Sequence, residues 1–271
     1  EGNAASNGEY GIGSCIPFFM CLILVFGADT LGIHTETAMT ISFMIIAAWW
    51  MLSAIPLLSF YQQTHFSKDS RFGIQTTFRN LWDSLKEMAS NKQVLLFLFA
   101  FLFYIDGVYT IIEMATVYGS ALGLDSTGLL LALLMTQIVA FPSSIGMGQL
   151  SQRFSTKRLL SICIGAYFCI AIFAMFMTNQ LHFWILAFMV GLFQGGIQAL
   201  SRSHFAKMIP PEKSGEYFGV MDICGKGASF IGTTTISMVS QLTGSANLGI
   251  GALAVFFLIG GILFQLSVRE K

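Results

Sequence analysis

Residues 94–118 read VLLFLFAFLFYIDGVYTIIEMATVY, an apolar run that contains two charged residues, Asp106 and Glu113. A helix needs about 20 predominantly apolar residues to cross the hydrocarbon core of a bilayer. This stretch supplies them, and it sets the fold class. Seven further segments of the same character lie around it, at about 12–28, 38–60, 127–150, 158–178, 181–205, 216–240 and 246–267. The expectation is an all-α, multi-pass membrane protein with eight transmembrane helices. Asp106 and Glu113 stand seven positions apart, on nearly one helical face.

Composition supports this reading. Of 271 residues, 55% are hydrophobic and 10% charged, against roughly 25% charged in a soluble domain. Too few charges remain to coat a water-facing surface of this size. A soluble enzyme, a nucleic-acid binder and a disordered chain are excluded. The formal net charge is zero, so no bulk attraction to an acidic partner is implied. The cysteines Cys15, Cys21, Cys163, Cys169 and Cys224 sit inside apolar stretches and read as small buried hydrophobes. The histidines His34, His65, His182 and His204 are dispersed, with no metal-ligand spacing. The sequence has no Gly-x-x-x-x-Gly-Lys-Ser/Thr loop, no Gly-x-Ser-x-Gly elbow and no His-Glu-x-x-His. No metal, no cofactor and no enzymatic activity are therefore expected. The first residues lack signal-peptide character, and the sequence starts at Glu1 rather than Met. Either an upstream part was removed or the sequence is a fragment.

Charge placement divides the chain. Residues 61–93 hold Lys68, Arg71, Arg79, Lys86 and Lys92 and no long apolar run. They separate residues 1–60, two helices, from residues 94–271, six helices. Within this linker Phe78, Leu81, Trp82, Leu85 and Met88 fall on one helical face, and Arg79, Asp83, Lys86 and Glu87 on the other. The pattern describes an amphipathic helix at the membrane surface with Trp82 at headgroup depth, or equally a solvated linker helix packed on the protein. The basic residues of the linker fall on the same side as Arg153, Lys157, Arg158, Arg202, Lys207, Lys213, Arg269 and Lys271 under an alternating topology. That side is the cytoplasm by the positive-inside rule. Lys226, inside the seventh span, is the exception.

Charges at bilayer depth cost on the order of 3 kcal/mol on insertion scales, so they usually face a bundle interior and work there. Asp106, Tyr109 and Glu113 of the third span could carry protons or bind a cation, or the acids could sit in structural hydrogen bonds. On the seventh span Asp222 and Lys226 are spaced to pair four residues apart; the pair is structural, or Lys226 holds an anionic group such as a substrate carboxylate, or the pair opens and closes during a conformational cycle. Gln194, Gln198, Ser201 and Arg202 make a polar face on the sixth span, with Arg202 either meeting solute or snorkelling. Gln137 and Ser144 make a shorter one on the fourth. Gly191 and Gly195 allow close helix packing. Such interior stripes suit a solute pathway.

The connection Gly148-Gln-Leu-Ser-Gln-Arg153-Phe-Ser-Thr-Lys157-Arg158 resembles the major facilitator superfamily signature Gly-x-Leu-Ala-Asp-Arg-x-Gly-Arg-Lys. Gln152 stands at the acidic position and Ser155 at the second glycine, which implies a weaker cytoplasmic latch around Gly148, Arg153, Lys157, Arg158 and Arg202. The stretches at residues 103–110, FYIDGVYT, and 195–203, GGIQALSRS, resemble bacterial permeases related to the autophagic vacuolar amino-acid effluxers. This resemblance covers essentially the whole chain as helices five to twelve of a twelve-helix carrier, with helices one to four missing. It implies a secondary active transporter in a bacterial plasma membrane, with the linker and C-terminus cytoplasmic. The carrier would move a small solute, amino acids among the candidates, by alternating access coupled to protons or another ion. Membrane lipid is its other partner. The rival reading is a non-transporting receptor or scaffold built on a truncated carrier fold.

Overall fold

The computed structural model describes residues 16–28, 30, 32–60 and 74–269, and every regular element among them is helical. The chain divides into two compact units, Glu1–Phe66 and Ser67–Lys271. In the first, α1 (Ile16–Phe26) meets α2 (Thr35–Phe60) where the Cys21 thiol donates to the Ser42 carbonyl at 3.7 Å. Most of the α2 surface is bare hydrocarbon, including Phe43, Met44, Trp50 and Met51. An apolar helix with so little of itself buried is suited to lipid rather than water. Cys15, Lys68 and Arg71 lie outside the described residues.

The second unit contains α3 (Ile74–Ser90), α4 (Lys92–Ala121), α5 (Ser126–Arg153), α6 (Thr156–Met175), α7 (Gln180–Ala206), α8 (Ser214–Thr243), α9 (Ala246–Gly251) and α10 (Leu253–Arg269). Short connections separate them. Asn91 caps α4 by accepting from the amides of Gln93 and Val94, Asp125 caps α5 through Gly128, and Asn179 caps α7 through His182. Gly244 ends α8 in the left-handed conformation, with φ +68°, where a side chain would be strained.

Six helical stretches among the described residues are long and apolar enough to cross a membrane: Thr35–Ile55, Lys92–Ala121, Ser126–Arg153, Thr156–Met175, Gln180–Ala206 and Ala246–Arg269. The expectation was eight. The first expected span is described as a helix only over Ile16–Phe26. The seventh is a 30-residue helix, α8, whose Asp222, Lys226 and run of threonines at 233–235 lower its hydropathy below the others. The last is divided near Ala252 into α9 and α10.

Lipid is as apolar as leucine, so helices in a membrane associate through close packing and hydrogen bonds rather than water exclusion. This unit uses both. α4 runs through its centre, packed by α8, α10 and α7, with Tyr104 and Phe97 fully buried. A Cβ at Gly260 of α10 would lie 2.9 Å from the Tyr104 amide nitrogen, so glycine lets the two backbones approach. α5 and α7 meet the same way: Gly191 faces the Thr136 carbonyl, and the Thr136 hydroxyl donates to the Ala187 carbonyl at 3.1 Å. Tyr118 ties α4 to α6 by donating to the Ala174 carbonyl at 2.9 Å.

The expectation that the cysteines are buried holds for Cys163 but not for Cys169, which is exposed on α6. Its position, six residues from Cys163, turns it away from the α7 and α10 contacts. The linker helix α3 is docked through Met88, which is buried, and through a Lys213–Glu87 ion pair. The Glu87 carboxylate holds the Lys213 ammonium above the usual lysine value. Phe78 and Leu81 lie outside the residues whose side chains are described.

Candidate functional site

Asp106 lies midway along α4, fully buried. Its Oδ1 accepts from the Gly232 amide of α8 at 3.0 Å and from the Thr110 hydroxyl one turn on at 3.2 Å. Its Oδ2 is buried and, among the described residues, has no hydrogen-bond partner. The approach depends on glycine, because a Cβ at residue 232 would stand 2.6 Å from Oδ1 and 2.2 Å from Thr110 Oγ1. Buried polar atoms are nearly always paired, so a bare carboxylate oxygen calls for an explanation. With Oδ1 held by two donors and Oδ2 free, the group can take up or release a proton at Oδ2 while Oδ1 keeps its contacts.

Glu113, two turns further along α4, is exposed. Sequence spacing put the two acids on nearly one face, but only Asp106 lies beneath α8. Tyr109 is half-buried between them, within electrostatic reach of Arg202, Asp222 and Glu113. Gly225 of α8 packs against its ring.

The anticipated Asp222–Lys226 pair is corrected. Asp222 binds Arg202 of α7 at 2.5 Å, and Lys226 is exposed. The guanidinium lies across the α7–α8 seam with donors fixed in a fork, whereas the lysine one turn away on α8 points elsewhere. Arg202 is thus an ion-pair partner of Asp222. The pair remains about half exposed, with side-chain exposures of 58% and 46%.

Of the expected amide stripe, Gln137, Gln194 and Gln198 are half-buried on α5 and α7, and Gln194 Oε1 is buried without a partner among the described residues. Ser201 and Ser144 leave the stripe and are buried in helix contacts. The Ser201 hydroxyl donates to the Ile197 carbonyl at 2.6 Å and accepts from the Tyr104 hydroxyl at 2.7 Å. Among the signature residues, Gly148 is half-buried and its carbonyl accepts from Ser151 at 2.7 Å. Arg153 and Arg158 are exposed on either side of the α5–α6 turn, and Lys157 is half-buried. Arg153 forms no ion pair among the described residues, in keeping with Gln152 at the acidic position.

Sequence reasoning missed Gly232 and Tyr104. The signal for Gly232 was a glycine beside three threonines in a polar helix, a pattern of close approach between helices. Tyr104, embedded in an aromatic run, had none.

These helices make the chain a multi-pass membrane protein, and it is 42% identical over 261 residues to the uncharacterized MFS-type transporter YxiO of Bacillus subtilis, covering 96% of this chain. It belongs to the family described as vacuole effluxer Atg22 like, whose model matches residues 6–271. Autophagy-related protein 22 of Cryptococcus neoformans is 26% identical over 274 residues, covering 91% of this chain. The protein of that name from Saccharomyces cerevisiae is 28% identical over 176 residues, covering 60% of it. The chain spans 61%, 48% and 33% of these three relatives' own lengths.

Proposed function

We propose that this chain is the helix-five-to-twelve part of a secondary active carrier that moves a small solute by alternating access, driven by protons. In this reading α1, α2 and α8 span the membrane with the other apolar helices, residues 1–60 complete an N-terminal half, and residues 94–271 form the C-terminal half. The distribution of basic residues supports a cytoplasmic linker and C-terminus, and likeness to the Bacillus transporter supports a bacterial plasma membrane. Amino acids are the solute class that the family resemblance favours, although a fold alone does not fix a substrate.

One observation carries the proton assignment: the bare Oδ2 of Asp106, enclosed between α4 and α8. Protonation there changes the charge that α8 feels through Gly232, which links proton binding to the seam between two helices. Tyr109, Glu113, Gln194, Gln198, Asp222 and Lys226 are the residues proposed to face solute, with Gln137 beside them. Gly148, Arg153, Lys157, Arg158 and Arg202 are proposed at the cytoplasmic gate.

The test is uptake of a radiolabelled amino-acid mixture by the full-length protein in liposomes under an imposed pH gradient. Asp106→Asn is expected to abolish gradient-driven accumulation while exchange without a gradient persists. Unchanged accumulation would remove Asp106 from the proton pathway. Glu113→Gln serves as the comparison for an exposed acid on the same helix.

A further inference from the structure

Among the residues whose side chains are described, the linker helix α3 is anchored along one edge and exposed along the other. Met88, 2% exposed, docks it into the core of its unit, and Glu87 pairs with Lys213 just before α8. These contacts fix the roll of the helix. At about 100° per residue, Leu85 stands about 60° round from Met88 and Trp82 about 120°. Beyond Trp82 come Lys86 and Arg79, then Asp83 and finally Glu87, which is turned to Lys213. Trp82 is 69% exposed, Leu85 is at the edge of exposure, and both basic side chains are exposed.

Position completes the argument. A single residue, Asn91, separates the end of α3 at Ser90 from the start of α4 at Lys92, and Asn91 caps the membrane-crossing α4. The second tether, Lys213, precedes α8 by one residue. The first tether holds α3 beside the start of the membrane-crossing α4, and the second beside the start of α8, which crosses with it in the reading proposed above. A tryptophan with a polar ring nitrogen and a large apolar body favours that boundary. Two cations beside it meet lipid phosphate there, and juxtamembrane basic residues favour anionic lipid.

We propose that α3 is a lipid-binding helix, with Trp82 and Leu85 seated at the headgroup boundary and Arg79 and Lys86 binding the phosphates of anionic lipids. The site is separate from Asp106, so it stands or falls independently of proton coupling. It makes the linker a brace whose hold on the bilayer depends on lipid charge and whose hold on the protein is the Glu87–Lys213 bridge.

The full-length protein is reconstituted in vesicles of phosphatidylcholine and phosphatidylglycerol, with bromine near the acyl carbonyl of one lipid or the other. Trp82 emission is the difference between the wild type and Trp82→Phe. Both brominated lipids are expected to quench it. Brominated phosphatidylglycerol should quench beyond its mole fraction, by an enrichment of about fivefold for each basic residue engaged. In the Arg79→Gln, Lys86→Gln double variant the enrichment disappears while quenching by the zwitterionic lipid remains. Trp82 emission insensitive to either lipid would mean that water or protein covers the helix, and would overturn the proposal. Quenching that follows mole fraction in the wild type would overturn the anionic-lipid site.

Discussion

The amide of Gly232 in α8 donates to Oδ1 of Asp106 in α4 across 3.0 Å, and the absence of a side chain at residue 232 is what allows it. Gly232→Ala places a methyl group 2.2 Å from Thr110 Oγ1 and 2.6 Å from Asp106 Oδ1, so α8 must move away. Overpacking of this kind costs about 1–3 kcal/mol. A lowered thermal midpoint of the purified protein is expected. Adding Thr110→Ala removes the nearer obstacle and should restore part of the loss. A double variant no better than the single would contradict this geometry.

Tyr104 and Ser201 are bonded asymmetrically. The serine hydrogen goes to Ile197, so the tyrosine must donate. Ser201→Ala leaves a buried phenol unpaired and should cost about 1–3 kcal/mol, whereas Tyr104→Phe removes an ordinary hydrogen bond worth about 1 kcal/mol. Thermal unfolding should therefore rank Ser201→Ala as the more harmful, with the double variant costing less than the sum.

The Arg202–Asp222 pair is half exposed, and pairs of this kind contribute about 0–1 kcal/mol. Neutralising either residue should barely move the unfolding midpoint. Solute flux should respond instead. Reversing one charge, by Arg202→Asp or Asp222→Arg, is expected to reduce flux severalfold, and reversing both to recover much of it. A large stability loss with no effect on flux would assign the pair to the fold.

Two glycines should respond with opposite signs. Gly191→Ala puts a Cβ 2.8 Å from the Thr136 carbonyl oxygen, forcing α5 and α7 apart at a cost of about 1–3 kcal/mol. At Gly165 a Cβ would have no neighbour within 4 Å, so alanine should stabilise α6 by about 0.5–1 kcal/mol through lost chain entropy. Unfolding midpoints of the two variants that shift in the same direction would count against the packing described.

The reading of the linker shows where sequence stops. The spacing of Trp82, Leu85 and Met88 identified an apolar face but left open whether lipid or protein covers it. The fold divides that face: Met88 is buried and Trp82 is bare. In the same way, four-residue spacing made Lys226 a suitable partner for Asp222, yet Arg202 takes that place from the neighbouring helix. Spacing ranks partners within one helix and says nothing of those across a seam.

What the sequence by itself determined was the membrane-spanning, helical class and the family, because a bilayer requires long apolar runs and runs of that kind are local. The placement of Asp106, buried beneath Gly232, was decided by the tertiary structure alone, as were the exposure of Glu113 and the pairing of Asp222. These depend on which helices meet and at what depth. The two acids of one apolar run, seven residues apart, differ because α8 covers only one of them.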